Sequence, residues 1–114
     1  MFKKQPLVEL ETSRRSARFA DVLAPERSLI LTSGSKADVL LEMADALASA
    51  PEVADRDELL SALCAREELM STGIGLHVAV PHVRLKSVSD LVMAVGLAPH
   101  GIDDYESIDG LPVY

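Results

Sequence analysis

The chain has 114 residues, of which 48% are hydrophobic and 4% aromatic, and its formal net charge is −7 at pH 7. This length suits one domain whose core is built from aliphatic side chains. The negative charge argues against nucleic-acid binding, which relies on Lys and Arg to neutralise phosphates, and favours a basic partner.

Cysteine usage and hydropathy exclude further classes of protein. The single cysteine, Cys64, excludes an internal disulfide and a Cys-rich zinc site, and it fits a reducing compartment. No apolar run approaches the roughly 20 residues that span a bilayer, and the N-terminus lacks the apolar core of a signal peptide. We therefore expect a cytoplasmic chain without direct membrane insertion.

The first stretch of the chain differs from the rest. Residues 1–18 are basic and show no sustained hydrophobic period, so they are predicted to be an N-terminal extension that is either flexible or an added helix turn. Residues 19–114 are predicted to form the domain.

A strand and a helix are predicted first. The apolar run Ser28–Thr32 ends at a Ser-Gly-Ser turn, which indicates a buried strand. Ser35 is suited to cap a following helix that Pro51 ends. Apolar residues recur through it at helical spacing, namely Val39, Leu40, Met43, Ala44 and Leu47.

A second helix is predicted after Pro51. Asp55 and Glu58 have capping-box spacing at its start. One side of this helix is apolar, with Leu59, Leu60, Leu63 and Cys64, and Arg66 and Glu67 lie near its end.

The next segment combines a glycine-rich loop with a short strand. Ser71–Gly75 is predicted to be a loop, because its two glycines allow conformations that side chains would block. The stretch from His77 to His82 is predicted to be a strand ended by Pro81, which places His82 at the strand end.

The last third of the chain completes an α/β pattern. Leu91–Leu97 is apolar without alternation, which predicts a central strand covered on both faces. An acidic loop follows over residues 103–110, and Leu111–Tyr114 is predicted to begin another strand. His100 lies in a predicted turn and is expected to be exposed.

His82 is the first candidate for chemistry. A neutral imidazole can attack phosphorus near physiological pH and then pass the phosphoryl group on. Strand ends beside glycine loops are common places for such nucleophiles in α/β folds. From the residues alone, a structural role for this histidine in a loop stays open.

The string from Arg66 to Arg84, R-E-E-L-M-S-T-G-I-G-L-H-V-A-V-P-H-V-R, adds a resemblance to a known family. It resembles the signature of type 2 enzyme IIA domains of the sugar phosphotransferase system, the fructose/mannitol/nitrogen-regulatory family. There R-E, S-T-G-I-G and a G-I-A-I-P-H-like strand occur in this order. The resemblance continues more weakly from Phe19 to Tyr114. It implies an α/β domain with a mixed sheet sandwiched between helices, of which this chain would hold the N-terminal two-thirds.

The resemblance implies a phosphocarrier function without a cofactor or metal. His82 would accept a phosphoryl group from a histidine phosphocarrier protein and pass it to an enzyme IIB component in sugar uptake. The alternative is a nitrogen-type regulatory module whose phosphorylation controls protein binding. A domain that keeps the fold and has lost phosphoryl transfer is a third alternative.

Further site residues are implied beside His82. Arg66 would neutralise the phosphoryl oxygens, and Arg84 is a secondary candidate. The remaining candidates would position the phosphoryl group, namely Ser71, Thr72, Gly73 and Gly75. Structural alternatives stay open: a helix C-terminal cation for Arg66, capping or turn roles for Ser71 and Thr72, and a surface charge for Arg84.

Two departures from the family pattern raise separate expectations. Leu76 and His77 stand where the signature has Asn-Gly, and His77 is expected to point away from His82 in a structural or surface role. Sugar-specific members carry a further histidine that would lie beyond Tyr114. A sheet that ended there would expose an edge strand, which makes a homodimer a hypothesis to test.

Overall fold

The structure, a computed structural model, describes residues 22–114, and the predicted extension 1–18 lies outside them. Two helices and four short strands follow a 3-10 turn at Pro25–Arg27. In chain order they are β1 (Ser28–Ile30), α1 (Lys36–Leu47), α2 (Arg56–Leu69), β2 (Gly73–Gly75), β3 (Val78–Ala79) and β4 (Val95–Leu97).

Both helices begin at the predicted capping residues. The Ser35 hydroxyl accepts the Asp38 N–H at 3.3 Å, and the Asp55 carboxylate accepts the Glu58 N–H at 3.1 Å. These bonds satisfy amides that have no partner within the helix. The Glu58 carboxylate accepts the Ser87 hydroxyl, so it fastens α2 to the segment that follows His82.

The strands form one parallel and one antiparallel pair. Strand β1 pairs in parallel with β4, with Leu29 opposite Gly96, and β2 pairs antiparallel with β3. The prediction of an α/β domain is therefore confirmed. Parallel and antiparallel pairing both occur, and they occur in separate two-stranded sheets.

The hydrophobic core consists of two clusters. One joins β1, α1 and the C-terminal segment, and its buried members are Leu31, Val39, Ala98, Ile102, Tyr105 and Val113. The other lies between α1 and α2 around Ala44, Leu59 and Leu63. Val83 and Leu85 pack against the second cluster, so the chain is anchored to the helices directly after His82.

The prediction of a central strand at Leu91–Leu97 is wrong in extent and in burial. Only Val95–Leu97 pairs, because β1 offers three residues as partners. The side chains of Val95 and Leu97 are 49% and 50% exposed, and Ile30 beside them is 62% exposed. Within residues 22–114, one face of this sheet packs on α1 and the other stays uncovered.

Neither helix in the described part of the chain has the length and apolar character that a bilayer crossing requires.

Candidate functional site

His82 lies in an extended connection that is held on both sides. Strand β3 ends at Ala79, which is earlier than predicted, and Val83 packs into the helical core cluster. The His82 side chain is exposed, and its Nδ1 lies 2.7 Å from the Val80 carbonyl oxygen. A carbonyl oxygen only accepts, so Nδ1 carries the proton. In its neutral form the ring therefore presents the lone pair of Nε2.

Arg66 lies in the last turn of α2. Its Nη1 donates to the Met70 carbonyl at 2.8 Å, which suits a cation at the C-terminal end of a helix. No hydrogen bond joins Arg66 to His82 among residues 22–114. The family role predicted for Arg66 needs N–H groups beyond the one used here, and a guanidinium has five.

A buried carboxylate adjoins Arg66 in sequence. Glu67 is 6% exposed, and its Oε2 accepts the Thr72 N–H at 3.0 Å and pairs with Lys36 Nζ at 3.2 Å. Its Oε1 accepts the hydroxyls of Thr72 and Tyr105 at 2.7 and 3.1 Å. The carboxylate is thus matched by donors on both oxygens, as a buried charge requires.

The ionisation of this cluster is set by the same contacts. Burial raises the pKa of Glu67. Hydrogen bonds from Thr72, Lys36 and Tyr105 lower it by more than burial raises it, so the pKa lies below its ordinary value. Burial, together with the Glu67 charge, raises the pKa of Tyr105 despite the opposing hydrogen bond with Thr72. At neutral pH Glu67 is therefore an anion and Tyr105 a neutral donor.

Sequence reasoning did not assign this role to Glu67, although a signal was present. Glu67 follows the buried Leu63 by four positions, so it continues the apolar stripe of α2. A charged residue on such a stripe must find a partner when it is buried.

The prediction that Ser71–Gly75 is a loop is wrong for its last three residues, which form strand β2. The Ser71 hydroxyl donates to the Glu106 carbonyl at 2.6 Å, and the Gly73 carbonyl accepts the Ile108 N–H at 3.1 Å. A Cβ atom on Gly73 would lie 2.2 Å from the Glu106 carbonyl oxygen. Glycine is needed there because two backbone segments approach closely.

Several amides of the predicted phosphoryl site already have partners within the chain. The Thr72 N–H binds Glu67, and the Gly73 N–H reaches the Ser71 hydroxyl at 3.3 Å. The Val80 N–H donates to the Thr72 carbonyl at 3.0 Å. This last bond ties the segment of Thr72 to the segment of His82, and a role of these residues toward phosphate stays a prediction.

The β2–β3 hairpin turns through two residues with left-handed backbone. Leu76 has φ 58° and His77 has φ 66°, and Gly75 opposite Val78 closes the turn. This is the type I′ pattern, for which Asn-Gly is favoured. Asp109 supports the turn by accepting the Leu76 N–H at 2.9 Å, a bond that lowers the pKa of Asp109.

His77 therefore lies in the turn, and the strand alternation used to orient it does not apply. Its Nδ1 donates to the Pro112 carbonyl at 2.8 Å, and its ring lies 5.2 Å from the Tyr114 ring. These contacts join the hairpin to the C-terminal segment. His100 and Arg84 are exposed, and neither makes a side-chain hydrogen bond or ion pair within residues 22–114.

The surface around the hairpin carries exposed apolar side chains. The exposed apolar residues of the end of α2 and of the hairpin segment are Leu69, Met70, Ile74, Leu76, Val78 and Val80. They belong to the end of α2 and to the hairpin, the two elements that lead to Arg66 and His82. Among residues 22–114, no group of three or more His, Cys, Asp or Glu side chains is arranged to hold a metal ion.

Comparison with known proteins gives a consistent result. Residues 23–114 match the family model described as "Phosphoenolpyruvate-dependent sugar phosphotransferase system, EIIA 2". The PTS system fructose-specific EIIABC component of Bacillus subtilis is 38% identical over 75% of this chain, which corresponds to 13% of that protein. A nitrogen regulatory protein of Pseudomonas aeruginosa is 37% identical over 84% of this chain and 62% of its own length.

A solved structure agrees with these relatives. The crystal structure of nitrogen regulatory protein IIA-Ntr from Neisseria meningitidis superposes with a TM-score of 0.71 at 27% identity. The match covers 83% of this chain and 64% of that one, so the chain spans less than two thirds of these relatives. The chain belongs to the type 2 EIIA family of the phosphoenolpyruvate-dependent sugar phosphotransferase system.

Proposed function

We propose that this chain is a cytoplasmic phosphocarrier domain in which His82 Nε2 accepts a phosphoryl group. The donor is a histidine phosphocarrier protein, and the acceptor is an enzyme IIB component. The observation that carries the proposal is the exposed His82 ring with Nδ1–H donated to the Val80 carbonyl. The lone pair of Nε2 is then the ring's only nucleophilic position.

The transfer balances as an in-line exchange at phosphorus. The Nε2 lone pair forms a new N–P bond while the bond from phosphorus to the donor's nitrogen breaks, and that nitrogen keeps the electron pair. The His82 ring gains positive charge as the bond forms. The hydrogen bond from Nδ1–H to the Val80 carbonyl strengthens at the same time. This bond therefore stabilises the transition state more than it stabilises the unreacted ring.

Arg66 is the proposed charge partner of the phosphoryl group. Its guanidinium remains charged, and its free N–H groups can pair with two phosphoryl oxygens after a rotation of the side chain. Ser71, Thr72, Gly73 and Gly75 contribute by holding the hairpin that leads to His82. Arg84 is exposed and serves at most as a long-range positive charge.

Recognition of the partners is proposed to use the apolar surface around the hairpin. Exposed Leu69, Met70 and Ile74 offer contact area close to the elements that carry the site. The net charge of −7 favours approach by a partner with a basic surface.

A second candidate function is a regulatory module of the nitrogen type. The similarity to nitrogen regulatory proteins of Pseudomonas aeruginosa and Neisseria meningitidis supports it. In this function phosphorylation of His82 changes affinity for a target protein, because it adds negative charge to the apolar surface.

Intact mass after incubation with a phosphoenolpyruvate-driven phosphocarrier system tests the shared step. We expect one phosphoryl group on the native chain, none on His82→Ala, and one on the matched control His77→Ala. An unmodified native chain beside a modified relative in the same reaction would contradict both functions. Transfer onward to a IIB protein would favour the carrier function, and a stable phosphorylated form that IIB proteins do not discharge would favour the regulatory one.

A further inference from the structure

A continuous chain of hydrogen bonds connects a buried carboxylate to the His82 ring. The Glu67 carboxylate holds the N–H and hydroxyl of Thr72 at 3.0 and 2.7 Å. The Thr72 carbonyl accepts the Val80 N–H at 3.0 Å, and the Val80 carbonyl accepts Nδ1–H of His82 at 2.7 Å. Every step in this chain is therefore a hydrogen bond of ordinary length.

The buried end of this chain is rigid. Lys36 pairs with Glu67 at 3.2 Å, and its Nζ lies 4.8 Å from the centre of the Tyr105 ring. The Tyr105 hydroxyl lies 2.6 Å from the Thr72 hydroxyl. A side chain bonded on several sides in a buried site has little freedom to reorient, so Thr72 is held in one rotamer.

These contacts prevent Thr72 from binding a phosphoryl group directly. Its N–H and its hydroxyl proton both go to Glu67, and the residue is 4% exposed. A phosphoryl group on His82 would have to displace these bonds to reach either donor. The Thr72 carbonyl faces the other way along the chain, toward the Val80 N–H.

We infer that Glu67 and Thr72 are positioning residues, which orient the Val80 peptide so that its carbonyl holds His82 in the tautomer with a free Nε2. The consequence for phosphoryl transfer rests on the proposed function, whereas the tautomer itself does not. A wrong tautomer would bury the lone pair against a carbonyl and leave N–H at the reacting position.

Histidine tautomers measured by long-range 15N–1H NMR correlation test this inference. The chain has three histidines, so every ring can be assigned. His77 is an internal control, because its Nδ1–H binds the Pro112 carbonyl outside the Glu67–His82 chain of bonds. His100 is exposed and supplies the reference for a ring without such a bond.

Glu67→Gln and Thr72→Val are the test variants. Each removes part of the hydrogen bonding at the buried end, and we expect the ratio of Nδ1–H to Nε2–H tautomer at His82 to fall on the order of five- to tenfold. Thr72→Ser keeps the hydroxyl and is expected to keep the native ratio. Asp109→Asn is the matched control, because Asp109 also anchors the hairpin through a backbone N–H but lies off the path to His82.

The outcomes separate the inference from the proposed function. A native tautomer ratio at His82 in folded Thr72→Val and Glu67→Gln would overturn the positioning role, as would an Nε2–H tautomer in the native protein. If Glu67→Gln does not fold, the pair Thr72→Val and Thr72→Ser decides alone. A shifted ratio in a protein that never accepts phosphate would keep the positioning role and remove the proposed function.

Discussion

The guanidinium of Arg66 has a direct consequence for the proposed phosphoryl transfer. We predict that Arg66→Ala slows phosphorylation of His82 by about 100-fold, because the charge on the transferring oxygens is no longer neutralised. Arg66→Lys should recover part of this rate, since an ammonium keeps the charge and loses the bidentate geometry.

The measurement for Arg66 is the initial rate of phosphate incorporation. Arg56→Ala is the control, because Arg56 pairs with Asp45 and Asp57 on the exposed surface and should leave the rate unchanged. Equal rates for native protein and Arg66→Ala would remove Arg66 from the site.

The lowered pKa of Glu67 in the folded protein predicts that the free energy of unfolding depends on pH. Its pKa in the folded protein lies below the ordinary value of 4.5, so its contribution is present above that value and is lost as pH falls through the lowered pKa. Glu67→Gln should therefore cost about 3 kcal/mol at neutral pH, where it breaks a buried pair, and less in acid.

Urea unfolding at neutral pH and at about pH 3 measures this difference. Glu68→Gln, at the exposed neighbouring position, should change the free energy of unfolding little at either pH. A penalty for Glu67→Gln that stays constant with pH would contradict an ionised Glu67.

The β2–β3 turn is the element with the greatest backbone strain in the described chain. Leu76 has φ 58°, which is a left-handed conformation that is unfavourable for leucine. Its side chain is 81% exposed, so packing contributes little to offset this cost. Leu76→Asn should raise the free energy of unfolding by about 1 kcal/mol, because asparagine tolerates this conformation.

Thermal or urea unfolding measures this gain. Leu69→Asn is the control, since Leu69 is equally exposed at the end of a helix and should yield no stabilisation. A neutral or destabilising Leu76→Asn would mean that the turn in solution differs from the one described.

Elements whose determinants are local were predicted well from sequence. The caps at Ser35 and Asp55 are set by side chains within three residues of the amides they bind. Strand β4 was not, because its length depends on β1 and its exposed face depends on which elements cover it. The apolar run Leu91–Leu97, from which the strand was predicted, carries no information on either partner.

The candidate site also has features that the sequence predicts and features that depend on distant residues. His82 and Arg66 follow from a motif in one stretch of sequence. The tautomer of His82 and the buried state of Glu67 depend on residues from separate segments, including Lys36 and Tyr105. Contacts between residues that are distant along the chain produce no regular spacing in the sequence, so they could not be predicted from it.

The exposed β1–β4 face predicts how the protein associates in solution. Among residues 22–114, Ile30, Val95 and Leu97 present a contiguous apolar surface, and exposed apolar surfaces favour association. We predict that a second copy covers this face in solution, with a dissociation constant raised at least tenfold by Leu97→Lys.

Sedimentation velocity over a range of protein concentrations measures this association. Leu111→Lys is the control, because Leu111 is similarly exposed but lies outside the β1–β4 face. A monomer at all concentrations would contradict the homodimer.

The proposed transfer requires that Nε2 of His82 receives the phosphoryl group, and NMR of the phosphorylated, 15N-labelled protein measures this directly. We predict a phosphorus–nitrogen coupling at Nε2 of His82, with the proton still on Nδ1 toward the Val80 carbonyl. Phosphate on Nδ1 of His82, or on His77 or His100, would contradict transfer to Nε2 of His82.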